Sequence, residues 1–287
     1  LIFNVFMIVC LNKSDLRNNL DGLSCSKNLG FVPTMGALHS GHLALIKRAL
    51  SENDKVVVSI FVNPTQFDNY NDLETYPRTL ESDILKLDNL SEDLVVYAPG
   101  VADIYPEGAI IEHFSFDGLD LVMEGASRKG HFDGVGTVVK RLFEIIKPQN
   151  AYFGEKDFQQ LQIVRKLVDK NKLKVNIIGC PIERDLDGLA LSSRNSLLNE
   201  ELRAEAPVIF KTLSEVQKMF GNKSIEELGD HVNNTFLSNK AINLDYFKIT
   251  DERTLSTVKS IRKDKKYRAF IAAYAGEIRL IDNISLN

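Results

Sequence analysis

His39 and His42 stand three residues apart in Pro33-Thr34-Met35-Gly36-Ala37-Leu38-His39-Ser40-Gly41-His42, where an apolar run gives way to helical spacing. A helix start offers backbone N–H groups and the positive end of a dipole. Gly36 and Gly41 permit close backbone approach, and two imidazoles can donate to phosphate oxygens. An anion site is expected; the same residues also describe a strand-helix turn with two surface histidines. Gly154-Glu155-Lys156-Asp157 repeats the placement, just after a short strand and just before a helix. Lys156 can neutralise a polyphosphate there and Asp157 can accept from ribose hydroxyls, although a charged loop of this kind is often only a solvated helix start. Gln159 and Gln160 follow within the first helical turn, where an amide could face the same pocket.

The third group is Asp187-Gly188-Leu189-Ala190-Leu191-Ser192-Ser193-Arg194-Asn195. Two hydroxyls and a guanidinium on a glycine-containing loop suit a mobile clamp over the β and γ phosphates of a nucleotide, while by itself such a loop is more often a helix cap. Asn63-Pro64-Thr65-Gln66-Phe67 and the set Glu124, Arg128 and His131 could hold a small acidic substrate, because amides orient hydroxyls and carboxylates without adding charge. No GxxxxGK[ST] loop is present, and Gly134 and Gly136 do not continue as GxGxxG. A phosphate site must then be built from His and Lys rather than from a glycine cradle. Zinc is disfavoured, since no third ligand with a recognisable spacing accompanies the two histidines.

The elements that must position these groups come in two styles. Up to about residue 178, short β-rich apolar runs alternate with helical periodicity. Val56–Val62 is apolar except for Ser59, as expected of a strand covered on both faces. Strands are also expected at Leu94–Tyr97, Ala151–Phe153 and Val175–Ile178. Helices are expected after Gly41, from Leu80, over Val135–Ile146 and over Phe158–Val168. This βαβ series implies an α/β fold, a Rossmann-like domain with a parallel sheet. The rest predicts helices over Glu200–Phe220, with Pro207 as a kink or restart, and over Ile225–Phe236, opened by a Ser224-x-x-Glu227 capping box. Three alternating segments follow, Leu244–Thr250, Tyr267–Tyr274 and Ile278–Ile281, the last two joined as a hairpin through Ala275-Gly276. The expected division is therefore 1–178 and 179–287, the second a smaller α+β domain, with Gly179-Cys180-Pro181 as the boundary.

Composition sets outer limits. The 287 residues carry 35 Lys plus Arg against 39 Asp plus Glu, a formal charge of -4, and no stretch is basic enough to track a phosphate backbone, so nucleic acid is not an expected partner. Cys10, Cys25 and Cys180 have neither metal nor redox spacing, which suits free thiols in a reducing cytoplasm. The opening run Leu1–Leu11 is too short to span a bilayer, has no basic residue before it, and is expected to be a buried first strand rather than a membrane segment.

The strings FVPTMGALHSGH (31–42), FVNPTQF (61–67), YPR (76–78), MEGASRKGHFDGV (123–135), YFGEKDFQQ (152–160) and DGLALSSRN (187–195) resemble, in order and spacing, the successive signatures of the pantothenate synthetase family. The resemblance covers nearly the whole chain. It implies a Rossmann-like nucleotidyltransferase domain with an HxGH signature, a C-terminal α+β lid domain, and a homodimer. It further implies ATP as substrate with Mg²⁺, no tightly bound organic cofactor, and condensation of pantoate with β-alanine through a pantoyl-adenylate.

By that resemblance Met35, Gly36, Ala37, Leu38, His39, Ser40, Gly41 and His42 contact ATP, with His42 the proton donor and His39 a phosphate contact. Gly154, Glu155, Lys156 and Asp157, with Leu191, Ser192, Ser193 and Arg194, complete the nucleotide site; Lys156 and Arg194 face the phosphates and Asp157 the ribose. Gln66 and Gln160 hold pantoate, Gln66 also lies near β-alanine, and Asn63 belongs to the same polar cluster. No protein ligand for Mg²⁺ is implied. Lys129 stands where the family commonly has proline, and Glu183 stands where an apolar residue is usual and a main-chain contact to adenine is implied. Met7-Ile8-Val9 looks like the usual family start, which makes Leu1–Phe6 an extension or a start-site artefact. The rival readings are a nucleotidyltransferase with another acceptor, opposed by FVNPTQF and Gln160; a regulatory nucleotide-binding module without turnover; and an RNA-binding adaptor, opposed by the acidic balance.

Overall fold

The computed structural model describes residues 7–21, 28–67, 70–88 and 90–287, so Cys25 and the expected extension Leu1–Phe6 lie outside the described residues. The first unit comprises Leu1–Glu155 and Gln160–Cys180, and the second Lys156–Gln159 and Pro181–Asn287. The changeover at Cys180–Pro181 falls within the expected Gly-Cys-Pro boundary, and the short stretch 156–159 goes with the second unit.

The first unit alternates strand and helix: β1 (Ile8–Cys10), α1 (Lys13–Leu20), β2 (Leu29–Thr34), α2 (Ser40–Glu52), β3 (Lys55–Ile60), α3 (Tyr70–Thr75), α4 (Leu80–Asp88), β4 (Leu94–Tyr97), α5 (Val101–Ile104), α6 (Met123–Ser127), α7 (His131–Ile146), β5 (Asn150–Gly154), α8 (Phe158–Asn171) and β6 (Asn176–Cys180). The strands form one sheet in the order β1-β4-β3-β2-β5-β6, and every pairing is parallel. Parallel strands need cover on both faces, and Val56, Val57, Val58, Leu94, Val95, Val96 and Tyr97 accordingly have no exposed surface. From β2 the chain builds outward through β3 and β4 on one side, then returns to place β5 and β6 on the other. The order therefore reverses between β2 and β5, the place where open α/β sheets bind ligands outside their carboxyl ends.

The second unit contains α9 (Glu200–Glu205), α10 (Val208–Met219) and α11 (Ile225–Ser238), followed by the antiparallel strands β7 (Ile242–Asp251), β8 (Tyr267–Ala275) and β9 (Ile278–Ser285). Of the two outcomes expected at Pro207, a kink or a restart, the structure shows a restart: Pro207, lacking an N–H, separates α9 from α10, with φ −58°. The capping box at α11 forms in both directions, with Glu227 N donating to Ser224 Oγ at 3.1 Å and Ser224 N donating to Glu227 Oε2 at 2.9 Å. Lys223 and then the cap itself hold the Glu227 carboxyl down at about 2. The β8–β9 hairpin turns at Gly276, whose φ of +59° favours glycine. Leu213, Val216, Val232, Ile249 and Ile271 are among the residues that form its separate core.

Candidate active site

At the carboxyl end of β2, Thr34 Oγ1 donates to Ser59 O at 2.7 Å and accepts from Gly36 N at 3.2 Å, which starts the turn. Gly36 and Ala37 then adopt φ of +84° and +50°, a path that a Cβ makes costly at Ala37 and worse at Gly36, where one would sit 3.2 Å from both Asp83 Oδ2 and Ile60 Cγ2. The turn's amides were expected to face a ligand anion. Two of them instead meet a carboxylate of the protein: Ala37 N and Leu38 N donate to Asp83 Oδ2 and Oδ1 at 2.9 and 2.8 Å.

His39 then caps α2. Its Nδ1 accepts from Gly41 N at 3.1 Å, and His42 Nδ1 accepts from His39 N at 3.4 Å, with the ring centroids 4.1 Å apart. A ring nitrogen that accepts from a backbone N–H carries no proton, so this hydrogen-bond network assigns the proton of each neutral imidazole to Nε2. Both histidines are half-buried and so combine a fixed tautomer with a fixed ring position. Met35 is half-buried, Gly41 buried, and Ser40 exposed.

Beyond β3, Asn63 caps a 3-10 turn over Pro64–Gln66. Its Oδ1 accepts from Tyr105 Oη at 2.7 Å and Thr65 Oγ1 at 3.0 Å, while its Nδ2 donates to Gln66 Oε1 at 3.2 Å and Gly134 O at 3.3 Å. Asn63 thus holds Gln66, whose Nε2 lies 2.8 Å from Met35 Sδ. The main chain of Gln66 is gripped as well: His131 Nδ1 lies 2.7 Å and Arg128 Nη2 3.3 Å from its carbonyl oxygen. Because a carbonyl only accepts, His131 Nδ1 is the donor. Its Nε2 then accepts from Arg128 Nη1 at 3.3 Å, the tautomer opposite to that of His39 and His42. Arg128 and His131 therefore meet around the main chain of Gln66, while the carbonyl of Glu124 accepts from Arg128 N at 2.9 Å.

Gly154 ends β5 beside β2 in the sheet, and Glu155–Asp157 form a 3-10 turn before α8. Gln160, half-buried, lies in the first turn of α8. Lys156 belongs to the second unit, where its carbonyl accepts from Asn283 Nδ2 at 2.9 Å and its Nζ lies 3.7 Å from Asp157 Oδ1. Asn283 Oδ1 in turn accepts from Arg268 Nη1 at 2.6 Å, and the Arg268 guanidinium stacks 3.8 Å from the Phe158 ring. Also in the second unit, residues 183–191 fold as a short hairpin: Leu191 N donates to Glu183 O and Asp185 N to Leu189 O, both at 2.9 Å. Arg184 ties it to Asp282 at 2.6 and 2.9 Å, and Arg203 bridges Asp185 and Asp187. Ser192 and Ser193 are half-buried at the following 3-10 turn, Ser192 Oγ accepting from Arg194 N at 3.2 Å, and Arg194 is exposed.

Sequence reasoning missed Asp83, Arg268 and Asn283, which touch the signature segments from elsewhere in the chain; the only hint was a Thr79 four residues before Asp83 at a helix start. Cys10 and Cys180 are free and buried. Among the described residues no group of three or more His, Cys, Asp or Glu is arranged to hold a metal ion, and no helix is long and apolar enough to cross a membrane.

A doubly wound α/β sheet with an HxGH turn at its switch point defines a protein built to bind a ligand outside the ends of β2 and β5. Residues 9–285 match the family model described as Pantoate-beta-alanine ligase. The pantothenate synthetase of Flavobacterium psychrophilum is 55% identical over 281 residues, covering 98% of this chain and 100% of the relative. That of Christiangramia forsetii is 53% identical, covering 92% of this chain and 93% of its own. Among solved structures, pantothenate synthetase from Thermus thermophilus superposes with a TM-score of 0.87 at 40% identity, covering 98% of this chain and 99% of that one. The Francisella tularensis pantoate-beta-alanine ligase, complexed with beta-gamma ATP and beta-alanine, gives 0.80 at 40% identity, covering 98% of both. The chain belongs to the Pantoate-beta-alanine ligase family, and it is a ligase that joins pantoate to β-alanine.

Proposed function

We propose that the chain carries out this ligation in two steps on ATP. A carboxylate and a protonated amine do not condense spontaneously in water, so the acid must first gain a leaving group. A carboxylate oxygen of pantoate attacks the α-phosphorus, and pyrophosphate departs with the electrons of the broken P–O bond, leaving pantoyl-adenylate. The unprotonated amine of β-alanine then attacks the acyl carbon; AMP leaves with the acyl C–O electrons, and the amine's extra proton passes to solvent.

The observation that carries this reading is the pair of imidazoles anchored through Nδ1 at the cap of α2, which turns two Nε2–H donors into fixed elements at the switch point. Preorganised donors of that kind stabilise charge growing on phosphate oxygens without reorganising during reaction. We assign His42 as proton donor, His39 to a phosphate, Lys156 and Arg194 to the departing pyrophosphate, Asp157 to the ribose, and Gln66 with Gln160 to pantoate. The relative complexed with beta-gamma ATP and beta-alanine supports the choice of substrates. Mg²⁺ arrives on ATP, since magnesium is usually held by substrate phosphates and keeps much of its water. We further propose that the two units are an ATP- and pantoate-binding domain and a lid, and that the enzyme works as a cytoplasmic homodimer.

The test is to mix purified protein with ATP, Mg²⁺ and pantoate, with and without β-alanine, following AMP, pyrophosphate and pantothenate by mass spectrometry. Pantothenate and AMP are expected only with β-alanine, and trapped pantoyl-adenylate without it. Absence of pantoate-dependent ATP cleavage would overturn the proposal in favour of a binding module. His42→Ala and Lys156→Ala should each slow single-turnover adenylation by at least about a hundredfold, the loss seen for one oxyanion donor; near-normal rates in both would remove their assignments.

A further inference from the structure

Asp83 belongs to no signature string, yet its carboxylate is the most fully buried charged group beside the HxGH turn, with no exposed surface. It accepts from Ala37 N at 2.9 Å, Leu38 N at 2.8 Å and Thr79 Oγ1 at 3.0 Å. Lys86 Nζ lies 3.7 Å from its Oδ1 and donates to Leu38 O at 2.7 Å, so the turn is held from both its N–H and its C=O side. Successive backbone N–H groups in a turn form a concavity suited to an anion. Here the chain supplies that anion itself, and the residue after the pinned pair is His39.

We propose that Asp83 is a positioning residue for the ligation: it fills the turn's anion concavity, fixes Gly36–Leu38, and thereby sets where the Nε2–H groups of His39 and His42 point. This rests on the reading that those imidazoles serve adenylation. A corollary is that the nucleotide meets the imidazoles rather than the amides of Ala37 and Leu38, which Asp83 already occupies.

Asp83→Asn keeps size and one acceptor oxygen but sets an amide N–H against one of the turn's N–H groups. A misplaced transition-state donor lowers rate more than ground-state affinity, so single-turnover adenylation should fall by about tenfold or more while ATP affinity changes by less than about threefold. Groups acting as one unit are non-additive, so adding Asp83→Asn to His42→Ala should slow it by clearly less than the Asp83→Asn factor in the parent, the remainder acting through His39. Nitrogen-15 spectra should show both imidazoles protonated at Nε2 in the parent and a mixture of tautomers in Asp83→Asn. If His42→Ala itself leaves adenylation intact, the site reading fails. If His42→Ala is slow but Asp83→Asn is unimpaired, or their losses multiply, the positioning role fails. Should Asp83→Asn not fold, Lys86→Met, which keeps the carboxylate but removes the cation and its hydrogen bond to Leu38 O, decides by the same cycle: a smaller loss that shrinks in the His42→Ala background supports the role, and no loss or a multiplying one overturns it.

Discussion

Two of the glycine-containing polar loops that carry residues assigned to ATP are held in opposite ways. In the first unit, the turns over 35–42 and 63–66 are fixed by groups sealed from water: Asp83 is 0% exposed, Asn63 1% and His131 7%. In the second unit, the hairpin leading to Ser192–Arg194 is tied at its base by Arg184 to the buried Asp282, but its tip is held by Arg203 between Asp185 and Asp187, whose side chains are 48% and 41% exposed. A buried polar group that loses its partner pays full desolvation, whereas an exposed ion pair loses little because water replaces the partner. Built this way, the first unit resists rearrangement around His39, His42 and Gln66, while the tip of the hairpin, beyond its Arg184 anchor, can change its path at small cost.

The sharpest test of the buried half is Gly134→Ala. A Cβ at Gly134 would lie 2.1 Å from Thr65 O and 2.6 Å from Thr65 C, both backbone atoms, so α7 and the Pro64–Gln66 turn must separate. Overpacking of this kind costs about 1–3 kcal/mol, and a main-chain clash belongs at or above the upper end. Gln66 moves with the turn, so activity should fall further than the stability loss explains. Denaturant unfolding alongside single-turnover kinetics checks both; stability within about 0.5 kcal/mol of the parent would show the turn to be as yielding as a surface loop.

That asymmetry also explains what could be read in the sequence. β4 coincides with the expected Leu94–Tyr97, and the Ser224–Glu227 box was legible, because an unbroken apolar run and a reciprocal cap are local patterns. Pro207 marked the break between α9 and α10 for the same reason. Helix α1 was hidden: only Leu16 among its residues is buried, so the stretch shows no apolar stripe, and its start depends on Asn12 accepting from Asp15 N. The signature loops were visible as residue types, but their supports were not. Asp83 is 46 positions from Ala37, and Asn283 is 127 from Lys156, and a carboxylate or an amide so far along the chain gives no periodic signal. Asn63 shows the limit from the other side: it was legible as a polar site residue, yet its amide is committed to Tyr105, Thr65, Gln66 and Gly134.

A cap in the second unit tests whether exposure alone predicts a small effect. Ser224→Ala removes an acceptor from Glu227 N, and losing such a cap costs about 1 kcal/mol, or roughly 2–4 °C in Tm for a chain of this size. Glu227 adds a pH dependence. Its carboxyl in the folded protein is held at about 2, below its ordinary value, so its contribution is present above about 4.3 and is lost as pH falls through about 2. The Ser224→Ala deficit should therefore shrink in acid, as seen by circular dichroism melts across that range. A deficit unchanged by pH would separate the two halves of the box.

The smallest effect should come from Arg203→Ala, the pair that holds the clamp hairpin. Hydrogen bonds from Arg203 are the main cause that holds the Asp187 carboxyl below the usual carboxylate range, and Leu189 N donating to the same side chain adds to it. Because the folded value is depressed, the stabilisation is present above about 3.9 and lost as pH falls through the folded value. Both aspartates are more than a third exposed, so screening by water and salt limits the pair to about 0–1 kcal/mol. Arg203→Ala should thus lower Tm by no more than about 2–4 °C at neutral pH and low salt, and by less in 0.5 M salt or in acid. A loss as large as that of Gly134→Ala would mean that the surface pair holds the hairpin as firmly as the buried groups hold the HxGH turn, whereas no loss would leave Arg184 and Asp282 as its anchor.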